Sequence, residues 1–527
     1  MMLALLPGLG CPSAYARKNI VPPVPVVRSG GLIDNVNGLA IDAQGHLVHF
    51  TGLTLDKEGK VERRLSAGDP RPSAPEFRLD GRGRTLIPAF VDANVHIMRL
   101  GLRLMTLDLS DAGSLADAKA RITRYKQDNQ GRKWLLGGGW NAERWGLNRA
   151  PSPADLDGVT GEVPTWLESA DGEDGWANSA ALRAAGIAKA AGPLTPAQIA
   201  QIRRAIPAPT PRDRDLALEK AQQLLLARGI GTIADMGTTI EDWQTLRRAG
   251  DHGALRLRVI AYASGIEQMV AIAGPEPTPW LYDDRLRMVG VHFALDGSLS
   301  ARNAWLKTSY ASASMVRGAP FIAATPLRNQ MSRAAMDGFQ IAITAHGDAA
   351  VGEAVAAFEE MSATYGGDRR WRIEGADVID PADIPRFAAL GVMASVQPGR
   401  LDPEQAIAKL GQARSSRLSP LTGLETSGTR IAFGSAAPET PPLPFATLAA
   451  ARSAGLTFGD SFVAATRGAA HAAFAENKVG ALEAGQRADF VLIDRDISLA
   501  RPDEVAATQV LESWIGGRRV YVNEAAR

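Results

Sequence analysis

The sequence predicts an α/β chain: a (β/α)8 TIM-type barrel with a small β-sandwich built from both chain ends. Three observations predict it. The middle of the chain alternates helical patterns with short apolar runs, as a parallel sheet or barrel does. Those runs pass into Gly, Asp, Ser or Pro at their C-terminal ends, as in GTIADMG, QIAITAHGD, RWRIEGA and RIAFGSAAP. Both chain ends are short alternating strands broken by Gly, Asn and Pro. The segments follow in order: residues 1–20 as a leader, 21–84 as the first part of the sandwich, 85–474 as the barrel, 475–527 as the rest of the sandwich.

The leader rests on an apolar run from Met1 to Leu9 and small residues closing in Ala14-Tyr15-Ala16, an A-x-A cleavage pattern. It predicts an exported, periplasmic protein whose mature form has lost Cys11. The missing positive n-region keeps a cytoplasmic location as the alternative. The chain has 527 residues, 45% hydrophobic and 22% charged, with 58 Lys plus Arg against 57 Asp plus Glu. So even a balance gives no electrostatic reason for a nucleic-acid or anionic-membrane partner. A single cysteine excludes a disulfide framework and a Cys-rich metal cluster. No run reaches 18 apolar residues, so no membrane span is expected. A small-molecule ligand and a homo-oligomer are both compatible with this composition.

The stretch that organises the rest is Thr85-Leu86-Ile87-Pro88-Ala89-Phe90-Val91-Asp92-Ala93-Asn94-Val95-His96. It reads as one buried strand ending in polar residues, with Asn94 and His96 two apart and so on one face. Helical patterns such as LADAKARITRYKQ, RDLALEKAQQLLLARG and AAVGEAVAAFEEM separate the later strands. The phrase Trp140-Asn141-Ala142-Glu143-Arg144-Trp145 reads as pocket wall or as packing under a loop.

This run resembles the first barrel strand of the amidohydrolase superfamily. Gly139-Trp140-Asn141, Trp176-Ala177-Asn178-Ser179-Ala180-Ala181-Leu182, Asp296-Gly297-Ser298-Leu299, Arg372-Ile373-Glu374, Ser395-Val396-Gln397-Pro398, Ala432-Phe433-Gly434-Ser435 and the Gly480–Phe490 phrase extend the likeness. They resemble the amidohydrolase-3 branch that includes N-substituted formamide deformylases. The resemblance implies metal-assisted hydrolysis of non-peptide C–N bonds at the ends of the barrel strands. Carried over residue by residue, it gives a degenerate metal site. The first-strand histidine pair is Asn94 and His96. The family lysine falls on His292, and the histidines of HAIGD and RIEH fall on Thr344 and Gly375. The general-base aspartate falls on Ala436, a substrate-side histidine on Glu173, and the glutamate of SDFPVE on Thr440, next to Glu439.

A zinc site needs at least three imidazole, thiolate or carboxylate ligands. Bound metal lowers the pKa of water from about 15.7 to about 7. At about 1.4 kcal/mol per unit, losing the ion forfeits on the order of 10 kcal/mol in making hydroxide. Losing a general base is worth roughly a further 10²- to 10⁴-fold. The leading expectation is therefore a pseudoenzyme or small-ligand binder with no cofactor. The alternative is an active hydrolase with zinc or another divalent metal on His96, His292 and His346, with Glu173 as the acid. That alternative requires the three imidazoles to converge. A third reading is metal-free chemistry in the same pocket, with Asp92, Glu173 or Arg400. Glu173, Trp140 and Arg400 are the substrate-side candidates. Glu374 and Asp348 are expected to pair with backbone at strand ends, and His46, His49, His252 and His471 to be bystanders.

Overall fold

The computed structural model describes residues 30–147, 149–169, 174–188 and 193–526. The expected leader and Cys11, and Glu173, lie outside the described residues.

Eight parallel strands form the centre: β1 (Phe90–Val95), β2 (Ile230–Thr238), β3 (Arg258–Ser264), β4 (Leu286–Ala294), β5 (Gln340–Ala345), β6 (Arg372–Gly375), β7 (Met393–Val396) and β8 (Ile431–Phe433). They pair in sequence order from β1 to β8. The ring closes where Ala436 N donates to Asn94 O (2.7 Å) and His96 N donates to Ala437 O (2.8 Å). One apolar cluster draws side chains from seven of the eight strands, among them Val91, Ala234, Ile260, Val289, Ala342, Met393 and Ala432. Side chains contributed from all round a ring can meet only inside it, so this cluster is the barrel interior. The outer faces pack on the surrounding helices through Val259, Val291, Ile343 and Ile373.

The strand expected over Thr85–His96 is two strands. Thr85–Pro88 pairs antiparallel with Phe490–Ile493 and parallel with Gly31–Ile41, in the sheet that both chain ends share. Only from Phe90 does the chain enter the barrel. Apolarity and burial are alike on both sides of Ala89, so the pattern could not mark the change of sheet. The terminal sheet has eight strands, and its core includes Ile33, Phe50, Leu53, Phe490 and Trp514. Phe77 comes back to within 5.7 Å of the Trp514 ring, so the sheet curls over its own core.

Between β1 and β2 the chain leaves the barrel to build a separate layer. Its strands run in the order Gly175–Ala177, Thr165–Ser169, Leu135–Trp140, Leu107–Asp108. Trp140, Trp145 and Trp176 meet in its core, with ring centroids 6.0–6.5 Å apart.

Barrel and terminal sheet are joined by a buried ion pair. Arg258, at the start of β3, donates from Nε to Asp489 Oδ2 (2.6 Å) and from Nη2 to Oδ1 (2.8 Å). Its Nη1 donates to the carbonyls of Asp283 and Asp284 at 2.9 Å. Removing one partner strands the other charge out of water, at about 3–5 kcal/mol. D489N should therefore lose about 3–5 kcal/mol in denaturant unfolding; a loss under about 1 kcal/mol would show that the joint does not depend on this pair.

Candidate active-site mouth

At the C-terminal end of the strands the innermost charge is Glu374 of β6, fully buried with Arg372 two residues before it. Two residues apart on a strand, both side chains point inward. Arg372 Nε donates to Glu374 Oε1. Its Nη2 crosses to β1 and β7, donating to Ala93 O (2.6 Å) and Ser395 Oγ (3.0 Å). Its guanidinium also lies 5.4 Å from the Tyr262 ring centroid. The other Glu374 oxygen, Oε2, accepts from Asn94 Nδ2 at 2.9 Å. Both carboxylate oxygens are thus committed inside the protein, to side chains and not to the backbone expected from the sequence. The cost is left on Asn94 Oδ1, which is buried without a partner.

The histidines divide into two groups. His96 and His292 face each other with ring centroids 6.1 Å apart. His96 Nδ1 bonds the Met236 carbonyl; a carbonyl only accepts, so this nitrogen carries the proton. Burial first, with the Arg99 charge, lowers the His96 pKa, although Glu439 and the Met236 hydrogen bond pull the other way. His292 Nε2 bonds Thr344 Oγ1 at 2.8 Å. Burial, then the His96 and Arg372 charges, pull the His292 pKa down to about 3.

His346 belongs to a different cluster. Arg400 Nη2 donates both to Asp377 Oδ2 and, at 3.1 Å, to His346 Nδ1, which lies 2.9 Å from the same carboxylate oxygen. Burial pushes the Asp377 carboxyl up, but Arg400 and His346 overcome it and hold the group well below the usual carboxylate range. The imidazole of His346 also fills the space above Gly375. A Cβ on Gly375 would meet His346 Nδ1 at 2.5 Å, and Gly375 has φ +92°, a left-handed value that disfavours any side chain.

The remaining acids at the mouth hold backbone. Asp92 accepts from Ser435 N (2.8 Å) and Asn94 N (3.1 Å), tying β8 to β1, and burial raises its pKa to about 6. Asp235 accepts from Ile97 N (2.8 Å) and Thr238 Oγ1 (2.6 Å), and burial raises it to about 7. Asp296 accepts from the amides of Trp305, His346 and Gly347. Asp348 accepts from Lys307 N and Arg417 Nη1, both at 2.8 Å. Glu439 pairs with Arg99 on the rim. Ala436, at the expected general-base position, offers a methyl group at φ +56°.

The structure therefore brings together His96, His292 and Thr344, and separately His346, Asp377 and Arg400. Trp140 is packed among tryptophans in the inserted layer, with Nε1 donating to Leu167 O at 2.9 Å. His46 pairs with Asp42, His252 with the Arg248 carbonyl, and His471 with Glu476 and Arg430. Among the described residues, no group of three or more His, Cys, Asp or Glu is placed to hold a metal ion. Asp377 and the role of Arg372 escaped the sequence reading. The one signal for Asp377 was a carboxylate two residues beyond a glycine at a strand end, in RIEGAD.

A closed ring of parallel strands with its polar residues gathered at the C-terminal ends is an α/β barrel whose working face is that mouth. The chain belongs to the amidohydrolase family, whose profile matches residues 79–521. It is 28% identical to Protein LONG AFTER FAR-RED 3 of Arabidopsis thaliana over 83% of this chain and 82% of that one. It is 25% identical to the putative amidohydrolase YtcJ of Bacillus subtilis (85% and 91% covered). It is 23% identical to the N-substituted formamide deformylase of Arthrobacter pascens (84% and 90% covered). Among solved structures, an uncharacterized metal-dependent hydrolase of Pyrococcus horikoshii OT3 superposes with TM-score 0.77 at 22% identity, over 90% of this chain and 99% of that one.

The low His292 pKa has a measurable sign. Its folded value, about 3, lies below the unfolded value of about 6.5. Between these limits the unfolded chain binds the extra proton, so this contribution to stability is lost as pH falls from about 6.5 towards 3. Asp92 and Asp235 act in the opposite sense, because protonating them on the way down favours the fold. H292Q should accordingly lose less stability than the wild type between pH 6.5 and 4, and the wild-type His292 imidazole should stay neutral by NMR at pH 5. An ordinary midpoint near pH 6.5 would contradict this environment.

Proposed function

We propose that this chain is an amidohydrolase-fold protein that has given up metal-dependent hydrolysis of C–N bonds and binds a small molecule at the barrel mouth. The observation that carries the reading is Glu374, with one oxygen held by Arg372 and the other by Asn94. Its carboxylate is turned to these two internal partners, and a zinc site needs at least three imidazole, thiolate or carboxylate ligands. Three other positions agree with it: Thr344 is bonded to His292, the space above Gly375 is filled by His346, and Ala436 carries no base. The Arabidopsis relative's name states no reaction. Among the described residues no helix is long and apolar enough to cross a membrane. Export remains part of the proposal, on the Ala14-Tyr15-Ala16 pattern alone.

A second reading, a working hydrolase with a rebuilt metal site, draws on one observation. His96 has Nδ1 fixed by the Met236 carbonyl behind the ring, as metal-bound imidazoles also do. Elemental analysis decides between the two. The purified protein should carry less than one equivalent of tightly bound zinc, manganese or iron, and should not hydrolyse N-formyl or simple amide substrates when these ions are added. Two equivalents per chain, with turnover that a chelator abolishes, would overturn the proposal.

A further inference from the structure

We propose that the chain carries a ligand site away from the barrel mouth, where helices of the barrel wall meet the terminal sheet. Its ligand is an amphipathic monocarboxylate, one carboxylate on an apolar tail. The site goes beyond the reading of the mouth and does not depend on it.

The site is a cavity of about 510 Å³, a size at which proteins commonly hold small molecules. It lies between the C-terminal end of helix Pro211–Ala227, the start of helix Pro444–Ser453, and the strands Val510–Ile515 and Arg518–Val522. Its walls are pinned. Ser513 Oγ donates to Leu226 O at 2.7 Å, tying sheet to helix. The Phe445 ring meets Phe90 of β1 edge-on, with centroids 5.0 Å apart. Asn523 N donates to Leu511 O at 2.8 Å, closing the end of the hairpin. The gap persists because Ala227, Ala446 and Ala506 border it with side chains too small to fill it.

The chemistry of the walls selects the ligand. Leu224, Leu443, Phe445 and Val510 supply apolar surface, and Leu443 is 36% exposed at this place. Beside them stand three polar side chains without a partner among the described residues: the Arg228 guanidinium, the Gln509 amide and the Tyr521 hydroxyl. No Asp or Glu borders the cavity, so Arg228 is its one charged residue. A single cation asks for a head of single negative charge. A guanidinium beside a hydroxyl and an amide can donate to both oxygens of a carboxylate. Arg228 also caps its helix, where the last carbonyls favour a cation. That accounts for the arginine, but not for the apolar chamber or for the two other unpaired groups next to it. The head therefore sits at Arg228 and the tail against Leu443, Phe445 and Val510.

The test is calorimetric titration of the full chain with sodium decanoate, and in parallel with decyltrimethylammonium, which has the same tail and the opposite charge. Folding of each variant is checked by circular dichroism. The wild type should bind decanoate, and the cation at least about tenfold more weakly. R228Q should weaken decanoate at least about tenfold, with R228K keeping most of the affinity. A506W, a change at an exposed position that the fold tolerates, should block the cavity and abolish binding. H252Q, on the exposed surface, should match the wild type. Binding that R228Q and A506W both leave unchanged lies elsewhere and overturns the proposal. Equal affinity for the cation, or no binding of decanoate, overturns it too. So does a shift in oligomeric state on A506W without decanoate binding, which would give the cavity to a second copy of the chain. None of these results bears on metal content at the mouth, which elemental analysis decides separately.

Discussion

The mouth of this barrel is organised by one buried ion pair, Arg372 with Glu374. Both side chains are fully buried, and Arg372 also reaches the Ala93 carbonyl and Ser395 across the interior. Such a pair gains little net stability against apolar residues of the same size, but breaking it leaves an uncompensated charge worth about 3–5 kcal/mol. The guanidinium therefore sets the charge balance of the whole interior. With Glu374 neutralised from within, neighbouring groups need no external cation. Asn94 completes the arrangement by donating where an imidazole would have offered a lone pair. The histidines respond in the same sense, since burial beside Arg372 keeps His292 neutral.

Beyond that pair, the departures at the mouth fit one another. Gly375 vacates a volume, His346 enters it, and Arg400 binds the ring and keeps Asp377 ionised. Thr344 likewise accepts a partner in His292. Each change alone would leave a hole or an unpaired polar group; together they leave few. The exceptions are Asn94 Oδ1, Gln397 Oε1 and Arg400 Nε, buried without partners. They lie around the seam of β7, β8 and β1.

The barrel was legible in the sequence because strand-ending Gly, Asp and Ser recur after apolar runs, and that local signal survives without any knowledge of contacts. The switch of sheet at Ala89 was not, because both halves of the 85–96 run are equally apolar and equally buried. The inserted layer was hidden for a related reason: its strands Leu135–Trp140 and Thr165–Ser169 carry the same pattern as barrel strands. At the mouth, the positions of Asn94, Thr344, Gly375 and Ala436 could be read by motif. Their new partners could not, since Asp377 and Arg400 meet His346 only through the folding of separate loops.

The most direct test of the account is where zinc goes when it is supplied. Crystals of the chelator-stripped protein, soaked in zinc and measured at the zinc edge, should show no anomalous peak inside the mouth, with Glu374 still bonded to Arg372 and Asn94. A strong peak between His96 and His292, with Glu374 turned towards it, would contradict the account.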